Sequence, residues 1–489
     1  MAKLSFARAS VLLLILVGGS IAATQSPTII QSLDALPSIT NPNLKVEVVS
    51  QGLGFPSSMA FLGPDDILVL EKNTGMVKRI VNGVMLPEPL LDVNVATQGE
   101  RGMLGIAVVP KHQNDENNDN NNNSSRYVFL YYTEAKDRQE GKDRCPNGSL
   151  FPYCKPGNNP LGNRLYRYEL VDNNTRLVNP TLLLDLPATP NRHNGGALIS
   201  GPDGNIYLLI GDINHSTKAQ NFLNGNNADG SGGILRISPD GKPVGKGIIG
   251  DKFNLGKYYA YGIRNGFGID FDPVTGKLWD TEDGPTYGDE INLVEPGFNS
   301  GWSKVQGIWD SKKSDQKSRD TYWQLNESNP EDILVKNPRG LVNFNGNGKY
   351  SAPELAWNFS ITPTAIKFLN SDKLGKQYQN DMFVGDFNNG SLYHFDLNKN
   401  RTGLVLNGSL ADKIADNPQE LQNSSVIFGK GFGAITHIEV GPHDGYLYVL
   451  SLYKGGWDCR LILKNCVSYN SSLGGTIFRI FHAVNLTDS

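Results

Sequence analysis

The sequence predicts an all-β chain, a six-bladed β-propeller of four-stranded antiparallel blades, and three observations carry that prediction. Turn formers are abundant: 54 Gly, 27 Pro and 50 Asn stand among 489 residues, a density that suits tight turns and opposes long helices. Hydrophobic residues make up 39% and charged residues only 19%, enough apolar surface for a large core and too little charge for wholesale disorder. A phrase of turn, short strand, turn, strand recurs along the chain, as in radially repeated sheets.

In chain order, the first element is a leader. MAKLSFARASVLLLILVGGSIAATQS carries two cations, an apolar run from Val11 to Val17, and small residues around Ser20 and Ala22, the layout of a secretory signal. Residues 1–23 are therefore expected to be a signal peptide and 24–43 an extension. An uncleaved anchor is the alternative, and a membrane enters only on that alternative. No other stretch has the apolar length of a membrane span. The formal charge of −4 becomes two units more negative without Lys3 and Arg8, which excludes a basic nucleic-acid reader.

The propeller is expected over residues 44–484. Its phrases are GPDDILVLEKNTGMVKRIV from Gly63, GPDGNIYLLIGD from Gly201 with GGILRISPDG from Gly232, and FDPVTGKLWDTEDG from Phe271. They return as NDMFVGDFNNGSLYHFDL from Asn380, and as GPHDGYLYVLSLYKGG from Gly441 with GGTIFRIF from Gly474. A degenerate copy lies between Arg101 and Leu177, and each strand reads as a short apolar alternation. Two insertions interrupt the repeat: the low-complexity stretch 111–125 and the polar stretch 305–350, which either covers one end of the propeller or is a solvated excursion.

Four cysteines fall in two close pairs, Cys145 with Cys154 and Cys459 with Cys466, spacing that suits two local disulfides in an oxidising compartment. Glycosylation sequons recur, at Asn147, Asn214, Asn358, Asn407, Asn470 and Asn485 among others. Both features agree with a secreted or cell-surface glycoprotein.

Three stretches concentrate polar groups at strand ends. In RHNGGALISGPDGNIYLLIGD, His193 precedes two glycines and Asp212 ends the next strand, an arrangement suited to a general base with an orienting carboxylate. A histidine in a surface turn is the bland alternative. In YGIRNGFGIDFDPVTGKLWDTEDGPTYGDEIN, Arg264 and Asn265 precede a glycine turn, and Glu282, Asp283, Asp289 and Glu290 crowd together. Such oxygens suit a hard cation such as Ca2+ without matching an EF-hand loop; an acidic solvated turn is the alternative. The third, GERGMLGIAV, places Glu100 and Arg101 before an apolar strand.

Together these segments, with GFNSGW following, resemble the soluble quinoprotein sugar dehydrogenases, the glucose/sorbosone dehydrogenase family that uses pyrroloquinoline quinone (PQQ). The resemblance runs from about Leu44 to Ile480. It implies that His193 is the catalytic base taking the proton from a sugar's anomeric hydroxyl, supported by Asp212, while hydride passes to the quinone. It implies that Arg264 and Asn265 contact the quinone carbonyls, Arg264 counting also as catalytic. Gly284 and Pro285 would lend backbone carbonyls to the Ca2+ that polarises the cofactor. Glu100 and Asp283 would be polar cofactor contacts, and Glu290 a ligand of a second, structural Ca2+.

The last two units depart from that pattern. The fifth reads FVGDFNNGSLYHFDL, with Asn388 and Asn389 where the family carries a lysine. The sixth reads GFGAITHIEVGPHDG, giving Ala434, Thr436 and His437 in place of two arginines. Losing three charged hydrogen bonds at roughly 2 kcal/mol each weakens PQQ binding by about four orders of magnitude. Lys304, Lys430 or Lys454 could compensate from another direction. The expected function is exported, PQQ- and Ca2+-dependent oxidation of aldose sugars to lactones, with a sugar as small-molecule partner and an unidentified electron acceptor. A Ca2+-dependent lactonase and a non-enzymatic propeller binding carbohydrate or protein are the alternatives.

Overall fold

In a computed structural model, the described residues are 36–110, 126–136, 160–308, 338, 340–452 and 474–483. The predicted leader, all four cysteines, the 111–125 insertion, Lys454 and the sequons at Asn147, Asn470 and Asn485 lie outside them. The strands form six sheets. The first is Pro56–Gly63, Asp66–Glu71, Met76–Val81 and Val84–Met85; the second is Met103–Pro110, Arg126–Glu134, Gly162–Val171 and Arg176–Leu186. The third is Leu198–Ser200, Ile206–Ile210, Gly233–Ile237 and Tyr258–Tyr261; the fourth is Gly266–Phe271, Leu278–Glu282, Asp289–Val294 and Leu355–Trp357. The fifth is Pro363–Phe368, Met382–Asp386, Ser391–Phe395 and Ile427–Lys430. The sixth takes Ile435–Val440, Leu447–Ser451 and Gly475–His482 and is completed by the early strand Leu44–Leu53.

The first strands of the six sheets touch in a closed ring, fourth to fifth to sixth to first to second to third and back to the fourth. Between each neighbouring pair lies one apolar cluster. Each sheet is thus covered on both faces, the arrangement of an all-β propeller.

Double coverage explains a departure from the expected alternation. Ile206–Ile210, Leu447–Ser451 and Met382–Asp386 are buried at every position, because a strand with sheets on both sides reads as a continuous apolar run. The strand cores are antiparallel, but strict four-stranded sheets are exceeded. Phe298–Asn299 and Lys349–Tyr350 add parallel to the third sheet, and Ile414–Ala415 adds parallel to the fourth. The described end of the 305–350 insertion docks there: Asn221 Oδ1 accepts from Val342 N at 3.0 Å, and Phe344 stands edge-on to Tyr261.

Turn chemistry sets the hairpins. Gly204, last in a Pro-Asp-Gly turn, has φ +75°, a conformation that costs L-residues but not glycine. Across the ring, Lys367 Nζ lies 2.9 Å from Glu439 and 3.5 Å from Asp270, joining the first strands of the fourth, fifth and sixth sheets.

Candidate active site

The glycines after His193 explain how the histidine is presented. A Cβ at Gly195 would stand 2.7 Å from Ile210 Cα, and one at Gly196 would stand 2.6 Å from Leu104 Cβ. The chain can therefore press against two sheets only with bare backbone, and His193 itself adopts φ +59°. Its backbone N donates to Glu100 Oε2 at 2.7 Å, and Asn194 N donates to the same oxygen at 3.3 Å. Burial pushes the Glu100 carboxyl up, His193 opposing and Asp283 adding to the shift.

His193 Nδ1 lies 2.6 Å from Asp212 Oδ1, and both residues are buried. Asp212 also accepts from Asn214 N at 2.8 Å and from Trp302 Nε1 at 2.6 Å. With these N–H groups aimed at it, the carboxylate acts as acceptor, so Nδ1 carries the proton and Nε2 is left to receive one. Asp212 N in turn donates to Arg264 O at 2.8 Å, tying the dyad to the fourth sheet.

Arg264 lies with its guanidinium carbon 5.4 Å from the Trp302 ring centre. Its Nη1 donates to the carbonyls of Asp283 at 2.7 Å and Gly284 at 2.8 Å, and stands 3.5 Å from Asp283 Oδ2. Asp283 Oδ1 accepts from Thr362 at 3.2 Å. Burial pushes Asp283 up while Arg264 and His193 pull it down. Gly284 N donates to Asp289 Oδ1 at 2.8 Å; Ile361 N and Thr362 N both donate to Asp289 Oδ2 at 2.7 Å. Burial, helped by Asp283, pushes Asp289 to about 8. Pro285 follows in the same turn, half-buried.

Glu290 belongs to a separate pocket. It pairs across the strands with Glu282, as Asp280 does with Asn292, so these four side chains share one face, and all are buried. Glu290 accepts from Gln306, Gly307 N, Asn292 and Ser300, and burial sets it at about 7. Glu282 is pushed well up by burial and then by Glu290 and Asp280. Neither Asp280 oxygen has a hydrogen-bond partner, nor has Asn292 Oδ1.

The implied groups can be tested against these residues. The carbonyls of Asp283 and Gly284 and the Asp283 carboxylate converge on one cationic nitrogen of Arg264; oxygens of this kind are what a Ca2+ takes, and of the two carbonyls expected as its ligands that of Gly284 is among them. Asn265 Oδ1 is buried without a partner; as an acceptor it suits a donor group of a ligand, whereas a quinone carbonyl would need the amide Nδ2. The oxygens of the cradle therefore fit a cation. The positions expected to carry cations are uncharged: Asn388 Nδ2 donates at 3.0 Å to Thr362, which itself bonds Asp283, Asn389 N donates at 2.6 Å to the buried Asp386 carboxylate, and Thr436 donates to Pro56 O at 3.1 Å. Ala434 is packed with Phe55 and Leu452. His437 is pushed down to about 3 by burial and by Lys367. Lys304 lies 5.5 Å from the Phe222 ring centre and Lys430 is exposed.

Of the residues singled out from sequence, His193, Asp212, Glu100, Arg264, Asn265, Asp283 and Gly284 come together, with Pro285 beside them. Glu290 stands apart in its own pocket, and Arg101 is anchored to Ala188 O at 2.8 Å. Sequence reasoning missed Trp302 and Thr362. The Trp302 signal was present as the last residue of GFNSGW, but its partner is 90 positions away.

Fold and site together define a propeller whose one end joins a histidine–carboxylate dyad to an oxygen-lined cradle. The glucose/sorbosone dehydrogenase model matches residues 53–327; that is more than half of the chain, and the chain belongs to this family. It is 24% identical over 429 residues to aldose sugar dehydrogenase YliI of Escherichia coli, covering 87% of this chain and 93% of that one. It is 29% identical over 296 residues to quinoprotein glucose dehydrogenase B of Acinetobacter calcoaceticus, covering 55% and 54%. The PQQ-bound aldose sugar dehydrogenase of Streptomyces coelicolor shares the fold, with TM-score 0.56 and 19% identity over 91% of this chain and all of that one.

Proposed function

We propose that this chain is a PQQ- and Ca2+-dependent dehydrogenase that oxidises aldose sugars at the anomeric carbon to lactones. The observation that carries the reading is the His193–Asp212 contact of 2.6 Å beside the Asp283–Gly284 cradle. His193 Nε2 receives the anomeric hydroxyl proton. Asp212 holds the ring in the tautomer that can do so and stabilises the imidazolium that results. Trp302 fixes Asp212 from the other side. PQQ, when bound, supplies the acceptor for the C1 hydride, and Ca2+ polarises it. Arg264, Asn265, Asp283 and Glu100 would hold the cofactor, the carbonyls of Gly284 and Pro285 its Ca2+, and Glu290 a second Ca2+ that the unpartnered oxygens of its pocket favour.

Calorimetric titration of the mature protein with PQQ in the presence of Ca2+ tests the reading. Absence of binding at tens of micromolar would defeat it. His193→Ala should keep cofactor binding and lose oxidation; retained oxidation removes His193 from its role. A second reading, a carbohydrate- or protein-binding propeller without redox activity, is favoured by the neutral groups at Asn388, Asn389, Ala434 and Thr436. It predicts ligand binding without dye reduction.

The six sheets are read as six blades spanning 44–484. The leader and paired cysteines support export, cleavage near residue 23, and disulfides Cys145–Cys154 and Cys459–Cys466. Asn214 and Asn407 are exposed, as glycosylation requires, whereas Asn358 is half-buried and donates to Asp416 at 2.5 Å.

A further inference from the structure

A second polar cluster lies on the fifth sheet. In its central hairpin Met382 pairs with Phe395 and Phe383 with His394. Asp381 and Asp396 therefore stand just beyond the Met382–Phe395 pair, and with His394 they point to one side, since positions two apart on a strand share a face. His394 Nε2 stands 3.0 Å from Asp381 Oδ2 and 3.5 Å from Asp396 Oδ1. One ligand atom from each residue lies within 4.8 Å of the other two.

The ring is held from several sides. Tyr378 meets it edge-on with centroids 5.0 Å apart, Phe383 at 5.2 Å and Phe428 at 6.2 Å. Its backbone N donates to Val426 O at 2.8 Å. The carboxylate backbones are fixed as well: Leu369 N donates to Asp381 O at 3.0 Å, and Val405 N to Asp396 O at 2.8 Å. Asp381 and His394 are largely covered, with 13% and 15% of their side chains exposed, while Asp396 is 62% exposed. The cluster is therefore rigid at two corners and open to solvent at the third.

We propose that Asp381, His394 and Asp396 bind a divalent transition metal, Zn2+ in the first instance, with solvent completing its coordination. Zn2+ takes imidazole nitrogen and carboxylate oxygen at about 2.0–2.2 Å, so neighbouring tetrahedral ligands sit about 3.3–3.5 Å apart. The two distances from Nε2 bracket that spacing. An imidazole ligand favours Zn2+ over Ca2+ or Mg2+, which prefer all-oxygen shells. A metal here staples the open end of the hairpin, remote in function from the His193 dyad and independent of the reading given for it.

The test is calorimetric titration of the full chain with ZnCl2 while Ca2+ is kept in excess, with Co2+ as a spectroscopic stand-in. Expected are one saturable Zn2+ equivalent, a raised Tm, and visible d–d bands from bound Co2+. His394→Gln should weaken Zn2+ binding by more than about tenfold and abolish the Co2+ bands. Should that variant misfold, Asp396→Asn alters only a mostly exposed carboxylate and should weaken binding in the same sense. Zn2+ heat that does not saturate means that His394 merely bridges the two carboxylates as a cation, and overturns the proposal. Affinity unchanged in the folded variants overturns it as well.

Discussion

Replacing Asp212 with Asn tests the dyad without changing its shape. The carboxylate faces N–H groups on both oxygens: Asn214 N at 2.8 Å and the imidazole at 2.6 Å on Oδ1, and the indole of Trp302 at 2.6 Å on Oδ2. An amide has one acceptor and one donor end, and each orientation fails at a different partner. If its NH2 faces Trp302, two N–H groups oppose each other. If it faces His193, Nδ1 must give up its proton, the proton moves to Nε2, and the base is lost. One charged hydrogen bond at about 1.5–3 kcal/mol is forfeited either way. Unfolding entropy near 2.1 cal/mol/K per residue makes each kcal/mol worth about 1 °C in a chain of this size, so Tm should fall by about 2–3 °C. Loss of general-base assistance should lower kcat about 10²- to 10⁴-fold, or about 3–5 kcal/mol in barrier. The assay is steady-state oxidation of an aldose with an artificial acceptor after loading with PQQ and Ca2+, beside calorimetry of the unloaded protein. A kcat within threefold of wild type, with PQQ affinity unchanged, would refute the tautomer argument.

Trp302→Phe removes the indole N–H from Asp212 and keeps an aromatic face for Arg264; kcat should drop about tenfold with a Tm loss of about 1–2 °C, and unchanged kinetics would detach Trp302 from the dyad. Asp280→Asn relieves a buried carboxyl held well above its usual range by burial, with Glu290 adding to it. Its raised folded pKa means that stability present at low pH is lost as pH rises past the unfolded value near 4. Scanning calorimetry in EDTA should therefore show the variant more stable than wild type at pH 8 and little different near pH 4; an equal shift at both rejects the assignment. His437 has the opposite sign, since its folded value near 3 lies below the ordinary one of 6.5. Its contribution is intact above pH 6.5 and is lost on acidification, by up to about 1.4 kcal/mol per pH unit. His437→Gln should make denaturant-measured stability fall less steeply between pH 6 and 4, and an unchanged slope would show that the imidazole is protonated in the fold.

What the sequence shows and what it hides follow from the range of the interactions. The Pro-Asp-Gly turns are legible because φ at Gly204 is a local matter, and Ile206–Ile210 and Leu447–Ser451 are legible as strands, but the alternation expected of them hides their burial on both faces, which the neighbouring sheets impose. Ring closure by Leu44–Leu53 is not local: Glu47 pairs with Arg479 across 432 positions, and nothing near either residue names the other. The site divides the same way. His193 and its glycines, or the crowded carboxylates 282–290, advertise themselves within a few residues. Glu290 is adjacent to Asp289 in sequence yet serves another pocket, because neighbours on a strand face opposite sides. Trp302 reaches the dyad from the connection between the third and last strands of the fourth sheet, and Thr362 reaches the cradle from the connection after that sheet, so only assembly of the ring reveals them.

Electrostatics then decide how the cradle can work. Glu100, Asp212 and Asp283 surround one end, with Asp289 beside them held at about 8 and so largely uncharged near neutrality, and Arg264 spends its charge on the oxygens of Asp283 and Gly284. Asn388, Asn389 and Thr436 add no positive charge, and Asn389 N is bonded to the Asp386 carboxylate. An anionic cofactor entering such a site meets like charge unless a cation arrives with it, and burying unpaired carboxylates is costly. Under the proposed function, Ca2+ would therefore neutralise a larger share of the cofactor's charge than it would beside a ring of lysine and arginine. Binding of the two is then strongly coupled, and the coupling is reciprocal: whatever factor Ca2+ adds to PQQ affinity, PQQ adds to Ca2+ affinity. Titrations of each at several fixed concentrations of the other should give equal factors well above tenfold. Introducing Lys at Asn388 should raise PQQ affinity in the absence of Ca2+ more than in its presence. Independent binding of the two would show that cofactor charge is neutralised elsewhere and that the oxygen cradle is not where they meet.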